Sequence, residues 1–260
     1  MFVSHFVEAL NWNIQQKYKK IYIFGVKMAS NNIYHLFKQD KKQIAILIDP
    51  DKADVISLKK LVEATASADF YFIGGSLLNE DNIEKIILAL KQLTSKPVII
   101  FPGNGMQICD KADAILLLSL ISGRNPELLI GQHVQFASIL KNSGLEIIST
   151  GYILIDGGKP TSVSYISNTT PIPNNKPEIA AATAIAGTQL GLKCIYLEAG
   201  SGAEIVISTD CINMVKAQID VPLIVGGGIK SKAQIQAAFN AGADIVVIGN
   251  ALEKDLSLFD

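Results

Sequence analysis

The chain has 260 residues, enough for one large α/β domain, and 49% of them are apolar, enough for a substantial core. A formal net charge of −1 gives no strong pull toward nucleic acid or an anionic membrane surface. No apolar run reaches the roughly 18 residues of a membrane-spanning helix, and Cys109, Cys194 and Cys211 lack metal or redox spacing, so a cytoplasmic enzyme is expected.

The first segment, 1–31, stands apart. Lys17, Lys19 and Lys20 precede Ile21 to Val26 in the manner of a signal peptide, but the apolar stretch is shorter than the usual 7–15 residues or so. Met28-Ala-Ser-Asn-Asn32 reads as a fresh start before an amphipathic helix, Ile33 to Phe37. Residues 1–31 are therefore set aside as an N-terminal extension, and 32–260 are read as a single catalytic domain.

From Gln43 onward, strand-like runs alternate with helical patterns. The runs are Ile44–Ile48, Phe70–Ile73, Val98–Phe101, Ile115–Leu118, Gly151–Ile155, Cys194–Leu197, Leu223–Val225 and Ile245–Ile248. Near-continuous apolar runs suit parallel strands covered on both faces. The helical patterns are Ser57–Ser67, Asp81–Leu93, Asn125–Ser143, Lys176–Leu190, Asp210–Ala217 and Ser231–Ala241. Eight such units predict a closed (β/α)8 barrel. Two connections depart from the pattern. Pro102 to Asp113 is too short for a full crossover helix, so the third helix is expected to be lost or reduced to a turn. Asp156 to Pro177 is long and rich in Gly, Pro, Ser, Thr and Asn, the composition of a lid or binding loop.

The chemistry concentrates at strand ends. Gly226-Gly-Gly228 and Gly249-Asn250 close the last two runs, where barrels of this kind build a phosphate site from backbone N–H groups. Asp49-Pro-Asp51-Lys52 closes the first run and Gly74-Gly-Ser76 the second, which offers a carboxylate and a hydroxyl at one rim. Mg2+ accepts such a sparse set of hard oxygens, because it keeps several waters and takes substrate phosphates as ligands. Each of Asp49 and Ser76 also reads as a turn or helix cap. Tyr196-Leu-Glu-Ala-Gly-Ser-Gly202 closes the sixth run. Burial there would raise the Glu198 pKa and suit it to base catalysis, and Gly200 to Gly202 offer a second anion nest. His5, His35 and His133 lack ligand spacing and read as structural.

Taken in order, Ile48-Asp-Pro-Asp-Lys52, Ile73-Gly-Gly-Ser76, Phe101-Pro-Gly-Asn104, the stretch Asn125 to His133, Tyr196 to Gly202, Gly226-Gly-Gly-Ile229 and Gly249-Asn250 resemble the geranylgeranylglyceryl phosphate synthases, from about Asn32 to Leu252. The resemblance implies a modified TIM barrel without its third helix. It implies Mg2+-dependent transfer of a polyprenyl group, geranylgeranyl first among the candidates, from its diphosphate to sn-glycerol 1-phosphate, giving an ether-linked precursor in phospholipid biosynthesis. By the same resemblance Asp49 and Ser76 are the magnesium ligands. Tyr196, Leu197, Glu198, Ala199, Gly200, Ser201, Gly202, Gly227, Gly228, Gly249 and Asn250 hold glycerol 1-phosphate. Glu198 orients or deprotonates the attacking hydroxyl. A homo-oligomer without stable membrane insertion is expected. The sequence departs from part of the family at Leu47, where one branch has a lysine, and at Asp156-Gly-Gly-Lys159, where relatives tend to have Pro-Gly-Gly. The prenyl tail would use the gap left by the third helix, bounded by Phe101, Met106, Ile108 and Leu116 to Leu118. Two other readings stay open from the residues alone: another phosphate-binding barrel enzyme such as a sugar-phosphate isomerase, and a non-catalytic barrel that binds phosphorylated ligands.

Overall fold

The computed structural model describes residues 32–80, 82–103 and 107–254; residues 1–31, including His5, and Met106 lie outside them. Eight parallel strands close into a barrel in sequence order: β1 (Gln43–Ile48), β2 (Phe70–Ile73), β3 (Val98–Ile100), β4 (Ala114–Leu120), β5 (Glu146–Leu154), β6 (Cys194–Glu198), β7 (Leu223–Gly226) and β8 (Ile245–Ile248). Closure is made by β8 on β1, from Gln43 opposite Ile245 to Ile46 opposite Ile248. Because strand side chains alternate between faces, each strand feeds two apolar layers. Ala45, Phe72, Ile99, Leu116, Ile224 and Val247 fill the barrel interior. Ile46, Tyr71, Ile100, Leu197, Val225 and Val246 pack outward, in one cluster with helix residues such as Leu58, Ile86 and Ala184.

The helices are α1 (Ile33–Phe37), α2 (Val55–Ala64), α3 (Ile83–Leu93), α4 (Gln132–Ser143), α5 (Ser162–Ile166), α6 (Pro177–Gln189), α7 (Thr209–Lys216), α8 (Lys232–Asn240) and α9 (Asn250–Lys254). Helix α2 starts earlier than its apolar pattern suggests, because Asp54 caps it: its Oδ1 accepts from the N–H groups of Ile56 and Ser57 at 2.8 and 3.0 Å. A π-helical turn, Glu127–Gly131, leads into α4 where one continuous helix from Asn125 is expected.

Three features position the site. Helix α1 closes the N-terminal end of the barrel. Its Phe37 is buried edge-on against Phe70, the first residue of β2, with ring centroids 5.1 Å apart. The main-chain N–H groups of Ile33 and Tyr34 donate to the carboxylate of Glu146, the first residue of β5. At the other end, the described part of the connection from β3 to β4 holds no α-helix, as its length predicts. The long segment after β5, where a lid or binding loop is expected, is a packed wall of the site. Ile155 pairs with Ile172, the Gly157 carbonyl accepts from the N–H groups of Glu204 and Ile205, and the Asn174 amide bridges Val206 and Ser208.

Candidate active site

At the C-terminal ends of the strands lies a cavity of about 300 Å3. Ten of the residues singled out in the sequence line it: Asp49, Ser76, Tyr196, Glu198, Ser201, Gly202, Gly227, Gly228, Gly249 and Asn250. They come from β1, β2, β6, β7 and β8 or the loops that follow, so the barrel's closure brings together residues up to two hundred positions apart.

Glu198 ends β6 on the inward face and is only 6% exposed. Burial lifts its carboxyl pKa to about 7, opposed by the hydrogen bond from the Gly200 N–H and by the Tyr196 side chain. That N–H donates to Oε1 at 2.6 Å and fixes the carboxylate's orientation. The next strand presses against the same group. Gly227 has φ +89°, and a Cβ there would stand 2.6 Å from Glu198 Oε1, so only glycine lets this loop come so close. The Tyr196 hydroxyl is buried beside the Glu198 carboxylate, too poorly aligned for a regular hydrogen bond but close enough to hold down the carboxyl pKa. Burial first, and then the charge of Glu198, hold its pKa well above the ordinary tyrosine value. It therefore keeps its proton and remains a donor facing the site.

Gly227 and Gly228 after β7, and Gly249 and Asn250 after β8, all line the cavity, where no Cβ stands between the glycine backbone and a ligand. Glycine-rich strand ends of this kind are where a barrel can offer backbone N–H groups to an anion. Just after the neighbouring strand β1, the Asp49 carboxylate accepts from the Asp51 N–H at 3.2 Å and has Lys52 Nζ 3.3 Å from its Oδ2. Asp49 thus shapes its own turn, as expected, but caps no helix: α2 is capped by Asp54, and α3 follows Asn82, well beyond Ser76. Lys52, half exposed, also lines the cavity.

Three of the singled-out residues stand differently from the expectation. Leu197 and Ala199 pack outward under the helices, so neither side chain faces the cavity. The Gly200 N–H is taken by Glu198, which leaves Ser201 and Gly202 as the lining residues of that loop. Sequence reasoning also passed over Ser162, Val163 and Lys230, which line it too, as do Leu77, Tyr152, Val247 and Ala251. Ser162 and Val163 belong to the packed wall after β5, and a loop's long-range docking leaves no local pattern. Lys230 stands two residues after the last glycine of the β7 loop, a signal that was there to be read.

A second, more apolar cavity of about 240 Å3 adjoins the first. It occupies the place of the missing helix, between the outer face of β4 and helices α4 and α5. Phe101, Ile108, Leu117 and Leu118 line it as expected, with Phe136 and Leu140 opposite. Leu116 does not: it points into the barrel interior and is fully buried. His133 lines this groove and binds the Leu118 carbonyl through Nε2 at 2.9 Å, a structural role. Gly75, Ser76, Leu77, Phe101, Tyr152 and Val163 border both cavities and form the ridge between them.

The match to known proteins follows this geometry. The model of the PcrB family matches residues 37–259. The chain belongs to the PcrB family. A geranylgeranylglyceryl phosphate synthase of Chitinophaga pinensis is 51% identical over 235 residues, covering 88% of this chain and 93% of the relative. One from Thermococcus gammatolerans is 40% identical over 225 residues, 85% of this chain and 88% of the relative. Among solved structures, the (S)-3-O-geranylgeranylglyceryl phosphate synthase of Thermoplasma acidophilum, in complex with sn-glycerol-1-phosphate, superposes with a TM-score of 0.81 at 30% identity. It covers 90% of this chain and 95% of the other. The chain is thus a member of the geranylgeranylglyceryl phosphate synthase family. The N-acetylmannosamine-6-phosphate 2-epimerase of Clostridium perfringens, at 14% identity and a TM-score of 0.54, shares the barrel alone.

Proposed function

We propose that this family member transfers a polyprenyl group, geranylgeranyl foremost, from its diphosphate to sn-glycerol 1-phosphate, forming an ether-linked prenylglyceryl phosphate. The observation that carries this reading is the pair of joined cavities. One is polar, lined by the glycine-rich strand ends and a buried carboxylate; the other is apolar and lies on the side where the described connection from β3 to β4 holds no α-helix. A sugar phosphate would have no use for the second.

In this reading the loops at Gly227, Gly228, Gly249 and Asn250 hold the glycerol phosphate through backbone N–H groups, which places its terminal hydroxyl toward Glu198 and Tyr196. The hydroxyl oxygen attacks the allylic carbon, the carbon–oxygen bond to diphosphate breaks, and the proton passes to Glu198. Holding both reactants at the ridge converts a bimolecular encounter into a unimolecular step. The donor set at Asp49 and Ser76, a carboxylate and a hydroxyl without nitrogen or sulfur, fits Mg2+ with diphosphate and water as its remaining ligands. Mg2+, when bound, would neutralise the departing diphosphate. Lys52 adds a positive charge at the same rim.

The test is an extraction assay with purified full-length protein, labelled sn-glycerol 1-phosphate, Mg2+ and a ladder of prenyl diphosphates. Labelled, organic-soluble ether is expected, with sn-glycerol 3-phosphate poorer by at least ~100-fold, since the wrong enantiomer leaves buried polar groups unpaired. Tight glycerol phosphate binding with no product from any prenyl diphosphate would make the protein a ligand-binding barrel and end this reading.

A further inference from the structure

The ridge between the two cavities is held by one buried side chain outside both of them. Gln107, in the connection from β3 to β4, is 3% exposed. Its Oε1 accepts from the Gly103 N–H at 3.0 Å, and its Nε2 donates to the Gly75 carbonyl at 2.9 Å. These two groups belong to the loops after β3 and β2. The last ladder bond between those strands, from the Phe101 N–H to the Ile73 carbonyl, lies just before. The carboxamide therefore acts as one further rung, carried by a side chain, past the end of the sheet.

The two loops are brought unusually close at this point. A Cβ on Gly74 would fall 1.9 Å from the Phe101 carbonyl oxygen, and one on Gly103 would fall 2.1 Å from the Gly75 carbonyl oxygen. In most barrel units the helix that follows a strand holds the strand's exit loop. Here the described part of the connection has none, and the Gln107 amide takes over the task. Only a group that accepts on one side and donates on the other satisfies both partners.

We propose that Gln107 is a positioning residue for the diphosphate: it sets the height of the Gly75-Ser76 ridge on which the leaving group rests. The inference depends on the prenyltransferase reading, because that reading puts the allylic carbon at the ridge and the diphosphate beside Asp49 and Ser76. Gln107 touches no substrate. Its effect runs through Gly75 to the neighbouring Ser76 hydroxyl, while its two hydrogen bonds reach neither of the glycerol phosphate loops after β7 and β8.

The experiment compares full-length wild type with Gln107→Leu and Gln107→Glu. Gln107→Leu removes both hydrogen bonds. Gln107→Glu keeps the acceptor for Gly103 and the side chain's volume, but sets a carboxylate oxygen against the Gly75 carbonyl; it is the variant to rely on where the leucine form folds poorly. Calorimetric titration with inorganic diphosphate in Mg2+, without turnover, is run beside titration with sn-glycerol 1-phosphate. Diphosphate affinity is expected to fall by at least ~10-fold in both variants, the scale of a mis-set buried hydrogen-bond pair. Glycerol phosphate affinity should stay within about twofold, and KM for the prenyl diphosphate should rise in parallel. Unchanged diphosphate affinity would overturn the proposal, as would an equal loss of both ligands, which marks a general structural role. A wild type that binds no magnesium diphosphate would instead overturn the prenyltransferase reading on which the proposal stands.

Discussion

At the scale of single residues, Glu198 combines two opposed demands. Its buried position lifts its pKa from 4.5 to about 7, which suits a base working near neutral pH. The same burial costs stability once the group ionises. Because the folded-state value is above the unfolded one, the favourable contribution is complete below about pH 4.5 and is lost as pH rises through 7, by about 3 kcal/mol in all. Glu198→Gln should therefore gain thermal stability over wild type at pH 8 and little at pH 5, while turnover falls by ~100-fold or more. Melting curves at the two pH values check the first part; a stability difference independent of pH would mean that the carboxylate is not taxed by burial. Glu198 was legible in the sequence because a lone charge ending an apolar run is conspicuous. Gln107 was not, since a single polar residue in a loop carries no periodicity.

At the scale of elements, the informative strand is β4. Its sequence, Ala-Ile-Leu-Leu-Leu-Ser-Leu, is apolar at nearly every position, so existence and direction could be read while the facing could not. Leu116 thus looked like a groove residue and proved to be barrel interior, whereas Leu117, one position on, does line the groove. The missing third helix was legible from a residue count alone. The docking of the segment after β5 was not, because it is made by contacts with the loop after β6, some forty residues away. If the groove takes the tail, Leu117→Trp should shorten the preferred prenyl chain. KM for the geranylgeranyl diphosphate should rise by at least ~10-fold, equivalent to losing burial of fewer than two CH2 groups at about 0.8 kcal/mol each. KM for sn-glycerol 1-phosphate should not change. Identical chain-length profiles for wild type and variant would remove the tail from this groove.

Across the whole molecule, the two ends of the barrel divide the labour. The C-terminal rim holds loops, glycines and titratable groups; the N-terminal end is sealed by α1, with Phe37 against Phe70 and Phe72. From there an aromatic column runs up the interior through Phe72 and Phe101 to Tyr152 and Tyr196 beneath the site. Phe37→Ala should cost about 3–5 kcal/mol, the usual range for a buried phenylalanine, read as a fall in denaturation midpoint. The kcat of the folded fraction should hold, because the cavity lies at the far end. A large drop in kcat at temperatures where the variant is fully folded would show that the seal also tunes the mouth.

The absent helix has a thermodynamic consequence. In the proposed reading, Leu117 of β4 and the groove around it stay partly exposed to water until a prenyl tail binds. Binding of the prenyl diphosphate must then dehydrate apolar surface on both partners and carry a large negative heat-capacity change, at about 0.45 cal/K/mol for each Å2 of apolar area removed from water. Binding of sn-glycerol 1-phosphate to backbone N–H groups should carry almost none. Titrations between 10 and 35 °C should show the enthalpy of the first falling steeply with temperature and that of the second nearly flat, so that the two substrates are told apart by the water they release.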